Sequence, residues 1–118
     1  MTYLEFAQIV GSVTTGTGTN TTSVPFAYYQ FTADTAKEPP FICYYFTQSD
    51  DFGADNINYQ PIRRAVIELY TDQKDFTLEQ AVEALLTSNE LVYAKDEAFI
   101  DSEQLHLTSY ETEVIISG

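Results

Sequence analysis

The sequence predicts an α+β domain, an antiparallel sheet of four to five strands with two helices packed on one face. Three observations predict it. Two stretches, Thr2-Tyr3-Leu4-Glu5 and Thr77-Leu78-Glu79-Gln80, match the capping box, and each is followed by apolar residues at helical spacing. Nine Tyr and eight Phe are concentrated in short β-prone runs. The connections among those runs are of hairpin length, with no strand-helix-strand repeat.

The first helix follows the Thr2 capping box, with Leu4, Phe6, Ile9, Val10 and Val13 on its apolar side and Gly11-Ser12 as its stop. Residues 14–23 are wholly polar and low in complexity, with nothing to bury against the cost of ordering the chain, and read as a mobile loop. Two aromatic strands come next, Pro25 to Phe31 and Phe41 to Thr47, separated by a segment that ends in the breaker Pro39-Pro40. A turn-rich stretch over 49–58 leads to a third strand, Ile62 to Thr71, which alternates Ala65, Ile67 and Leu69 against Arg64, Glu68 and Tyr70. The second helix starts at Thr77, with Phe76 as the preceding staple residue. Its stripe is Leu78, Ala81, Val82, Leu85 and Leu86, and Ser88-Asn89 ends it. Val92 to Ile100 and Leu105 to Ile116 are the last two strands, the latter alternating Tyr110, Thr112, Val114 and Ile116 against Glu111, Glu113 and Ile115.

A length of 118 residues suits one domain over 1–118. Such a domain buries roughly two-thirds of the surface of its unfolded chain. The formal net charge of -13 opposes charge-driven binding to nucleic acid, and no apolar run approaches a spanning helix, so neither DNA nor a membrane is an expected partner. The start lacks the pattern of a secretory signal, which points to a cytoplasm. The lone Cys43 lies in an apolar run with no base near it in sequence and reads as a small core hydrophobe.

No enzyme, cofactor or metal is expected. Gly16 and Gly18 lack the strand, the third glycine and the lysine of a phosphate loop. Asp50, Asp51, Asp55 and Asn56 depart from the spacing of a calcium-binding loop and read as a turn. His106 is the only histidine; Ser109, three residues along the same strand, points to the opposite face, which leaves a triad with Asp101 or Ser102 geometrically poor. Glu111 and Glu113 share a face and read as charges that keep a sheet edge or solvent face from aggregating. The pair Arg63-Arg64 splits across the two faces of its strand, one side chain available to an acidic neighbouring subunit and the other solvated.

Pro39-Pro40-Phe41-Ile42-Cys43-Tyr44-Tyr45-Phe46, Phe52-Gly53-Ala54-Asp55-Asn56, Ile67 to Asp75 and the closing Tyr110-Glu111-Thr112-Glu113-Val114 resemble small tail-assembly proteins of long-tailed phages and prophages of Gram-positive bacteria, in layout the tail terminator or tail completion proteins. The resemblance implies a virion protein, assembled in the host cytoplasm. It forms a ring with itself, usually a hexamer, on the end of the tail tube, ends polymerisation and joins the head through a connector protein. The tail tube protein and the connector are the implied partners, and a negative lumen would let DNA pass unbound. The alternatives are a head-completion protein or a small acidic module that binds a basic protein. Candidate interface residues are Tyr28, Tyr29, Tyr44, Tyr45, Phe52, Asp55, Arg63 and Arg64, because the aromatic strands read apolar on both faces and exceed what one helical layer needs. The loops 14–23 and 49–58 are expected to order on docking.

Overall fold

In the computed structural model, which describes residues 1–17, 19–31, 38–47 and 62–116, the chain opens with α1, Tyr3–Val10. The Glu5 amide donates to the Thr2 hydroxyl and the Thr2 amide donates to the Glu5 carboxylate, so the expected capping box is complete. Gly11 ends the helix; a Cβ there would come within 2.7 Å of the Phe26 ring, so its missing side chain gives that ring its place.

Residues 14–23 do not read as an irregular loop in the fold. They form β1, Thr14–Thr17, and β2, Asn20–Ser23, an antiparallel pair with Thr14 opposite Ser23 and Thr17 opposite Asn20. Threonine is β-branched and favours extended backbone even where little is buried. The base of the hairpin is tied by Val24 N donating to Val13 O at 3.0 Å, and both valines are buried. Gly16 sits at φ +110°, and a Cβ on it would lie 2.2 Å from the Asn20 carbonyl oxygen. Gly16→Ala should therefore cost about 1–3 kcal/mol locally, read as faster amide exchange across 14–23 with the exchange of the main sheet unchanged.

The main sheet holds β3, Phe26–Tyr28; β4, Phe41–Thr47; β5, Ile62–Thr71; β6, Tyr93–Ile100; and β7, Leu105–Ile115, in the order β3-β4-β5-β7-β6. The architecture is α+β, but the sheet is mixed: β3 runs parallel to β4, and every other pairing is antiparallel. The reason lies in the connection. Residues 29–40 supply about the dozen residues that a crossover between parallel strands needs. β3 is also shorter than the strand expected over Pro25 to Phe31, and ends at Tyr28 because Tyr29 takes φ +73°.

Register fixes two faces. Ile42, Tyr44 and Phe46 align with Leu69, Ile67 and Ala65, which align in turn with Thr108, Tyr110 and Thr112. Ile42, Tyr44, Ala65, Ile67, Leu69, Tyr110 and Val114 join Phe6 and Val10 of α1 and Leu78, Val82 and Leu86 of α2, Phe76–Ser88, in one core. The alternation expected in β5 and β7 is borne out, including buried Ile116 just past β7.

α2 begins earlier than its expected capping box. Asp75 is the N-cap and accepts from Leu78 N at 3.0 Å, so Thr77 lies inside the first turn and Phe76 is a helical residue rather than the staple before it. Glu79, three residues before Val82 and seven before Leu86, lies on the buried side of the helix. Its carboxylate lies 2.7 Å from Lys74 Nζ and 2.9 Å from Lys95 Nζ, and Lys95 also reaches Glu83 at 2.9 Å while Lys74 contacts Glu97. Burial pushes the Glu79 carboxyl up, but hydrogen bonds from Lys74 and Lys95 outweigh it and hold the group below the usual carboxylate range.

Candidate interface on the second sheet face

The face of the sheet opposite this core carries Phe41, Cys43 and Tyr45 on β4, Val66, Glu68 and Tyr70 on β5, and Leu107, Ser109 and Glu111 on β7. Such a face in a one-sided α+β domain normally reads polar. Here it is aromatic. Phe41 stacks on Tyr70 with ring centroids 4.8 Å apart, Phe31 meets Phe41 edge-on at 5.6 Å, and Tyr29 stacks on Tyr45 at 5.2 Å. Together with Glu68, Asp72, Glu103 and Leu105, these rings border an open cavity of about 970 Å³.

Tyr29 shows how the chain aims these rings. An aromatic residue at φ +73° is strained. Its amide donates to the Tyr44 carbonyl at 2.7 Å, and its ring lies on Tyr45, on the face opposite that of Tyr28. The Tyr29 side chain is 63% exposed. Glu68 supplies the polar centre: Tyr70 Oη donates to its Oε1 at 3.0 Å. Burial first, and then the Glu68 charge, push the Tyr70 and Tyr45 phenols and the Cys43 thiol up, so all three stay protonated at neutral pH. Cys43 is buried, and burial raises rather than lowers its pKa, in line with the small hydrophobe expected.

The expected interface residues divide between the faces. Tyr29 and Tyr45 lie on the second face. Tyr44 is only 8% exposed and belongs to the core, while Tyr28 is 51% exposed beside it, with its ring 5.2 Å from Tyr44. Arg63 and Arg64 do point to opposite sides. Arg64 is on the second face, its Nε 3.0 Å from Glu111 Oε1; Arg63 is on the core side, in a cleft with Tyr3, Tyr28, Tyr44, Phe46 and Thr47. Phe52 and Asp55, and the whole expected loop 49–58 with its acidic residues, lie outside the described residues. Glu111 and Glu113 do not sit on an edge: β7 is an interior strand, and Glu111 serves Arg64.

Sequence reasoning missed Phe41, Glu68 and Tyr70 as members of this surface. The signal was present in the alternation of β5, where Glu68 and Tyr70 share the face opposite the core. His106 packs edge-on against Phe99 at 4.9 Å on β6, and Ser109 faces the other way, as strand alternation requires. No group of three metal-ligating side chains occurs among the described residues, and none of their helices is long and apolar enough to cross a membrane. No family model matches the chain, and no curated protein or solved structure matches it.

Proposed function

We propose that the chain is a structural subunit that assembles with copies of itself into a ring on the end of a phage tail tube, ending tube growth and presenting the surface that joins the head. The observation that carries this reading is the aromatic second face. In this arrangement both helices lie together on the core side of the sheet, Phe6 of α1 against Tyr44 and Glu83 of α2 against Tyr110. Neither helix is then available to cover Phe41, Tyr45 and Tyr70. These rings are half-buried, and a neighbouring copy completes their cover through a heterologous contact in which this face meets a different patch. Aromatic rings are the side chains that most often dominate such contacts. The net charge of -13 supports the same role, since a negative lumen does not hold passing DNA.

A second reading rests on Glu68, Asp72 and Glu103 around the aromatic cavity: a module that takes a basic partner there. Light scattering across salt and concentration, with negative-stain images, separates the two. The ring reading expects a closed oligomer that gains weight as salt screens the like charges, and expects Tyr29→Ser with Tyr45→Ser to give a monomer with an unchanged circular dichroism spectrum. A wild-type chain that is monomeric at every salt and concentration, and that captures a basic protein, supports the module instead.

A further inference from the structure

We propose that the cleft around Arg63 is a binding site for a carboxylate carried beside an apolar group on a peptide. It lies on the core side of the sheet, where β5 begins, and its volume is about 540 Å³. Its described walls are Tyr3, Tyr28, Tyr44, Phe46 and Thr47, four aromatic rings and a hydroxyl. The rings are set against one another: Tyr3 edge-on to Phe46 at 4.9 Å, and Tyr28 edge-on to Tyr44 at 5.2 Å. No acidic side chain lines the cleft among the described residues, in a chain with 18 acidic and 5 basic residues.

Arg63 is the exception among the described lysines and arginines. Arg64 is paired with Glu111, and Lys74 and Lys95 are paired with glutamates. The Nε of Arg63 is buried and has no hydrogen-bond partner among the described residues. A buried donor left without an acceptor is costly, and a native fold usually satisfies it. Guanidinium presents its donors in a planar fork that matches a carboxylate through two parallel hydrogen bonds. The aromatic walls add a surface for an apolar neighbour of that carboxylate and exclude water from the pair. The site therefore selects both features together: the acid for the arginine, the apolar group for the rings. This inference does not depend on ring formation, because the ligand site is on the other side of the sheet from the aromatic second face.

The test is titration of the wild-type chain, followed by calorimetry and by the Nε–Hε resonance of Arg63, with three probes. N-acetylphenylalanine carries a terminal carboxylate, N-acetyl-Phe-Glu-amide a side-chain carboxylate, and N-acetylphenylalanine amide none. At least one acid should bind about tenfold or more tightly than the amide and shift the Arg63 resonance, consistent with the strength of charge-assisted hydrogen bonds. Which acid wins identifies a chain terminus or an acidic side chain as the natural source. Arg63→Gln should abolish the preference for acid over amide. Equal binding of all three probes, no binding of any, or an acid preference that persists in Arg63→Gln overturns the proposal. Should that variant not fold, the acid-against-amide comparison in the wild-type chain decides alone.

Discussion

Tyr110→Ala should destabilise the fold by about 3–5 kcal/mol, a large share of the total stability of a domain this size. Tyr110 is 0% exposed and sits on β7 between Ile67 of β5 and Lys95 of β6. Its ring packs edge-on against Tyr93 at 5.5 Å. Its hydroxyl donates to Glu83 Oε2 at 2.9 Å and lies 3.3 Å from the Glu79 carbonyl oxygen, so one side chain fills the core and ties α2 to the sheet. Burial, and then the bond to Glu83, push the phenol far up, so it is a donor at neutral pH. Tyr110→Phe separates the two contributions. It keeps the ring and should cost less, about 1.5–3 kcal/mol, the value of a lost hydrogen bond to a charged group. Urea unfolding of both variants is the measurement. A Tyr110→Ala loss under 1 kcal/mol would show that the core closes around the missing ring and that the ring is not its keystone.

Most of this fold was legible in the residues because its strongest signals are local. β4, β5 and β7 carry alternation or dense aromatics over seven or more residues, and their limits fall within a residue of those expected. The Thr2 capping box is a four-residue pattern and forms as read. What was missed depends on choices between near-equal local options, or on distance along the chain. Asp75 and Thr77 are both good caps, and residue type alone does not decide between them; in the fold Asp75 accepts the Leu78 amide. The parallel pairing of β3 with β4 is set by where a dozen-residue crossover returns, which no window of sequence encodes. The hairpin over 14–23 was hidden because hydrophobic periodicity is the main strand signal and this segment has no hydrophobic residues.

The candidate surface was half legible. An excess of aromatics on both faces of β4 pointed to a contact surface, and Tyr45 is there. Tyr28 and Tyr29, both expected at an interface, end on opposite sides of the sheet, as neighbours in an extended chain do, so only Tyr29 joins Tyr45 on the second face. Strand alternation correctly separated Arg63 from Arg64, but only the tertiary fold surrounds Arg63 with rings and leaves it without a carboxylate among the described residues. Ion pairing in an acidic chain is a question of which of many carboxylates arrives, and composition does not answer it.

Replacing Lys74 and Lys95 together by Met should cost about 3–5 kcal/mol near neutral pH, and the loss should vanish in acid. Methionine keeps the apolar stems but strands Glu79, 2% exposed, without a cation. In the wild-type fold the Glu79 carboxyl lies below its ordinary value of 4.5, so it contributes stability that is fully present above that pH and is lost as pH falls through the folded value. In the double variant burial acts alone and raises the folded pKa above the unfolded one. The sign reverses: the ionised carboxylate now opposes folding at neutral pH, and stability rises as pH falls through the raised pKa. Urea unfolding of both proteins from about pH 7 down to about pH 3.5 should therefore give two curves that converge. Glu79→Gln in the wild-type background should cost less than the double variant, because the lysines it leaves behind are partly exposed and regain water. A gap between the two proteins that stays constant across this range would mean that the lysines act through their stems and not through their charge.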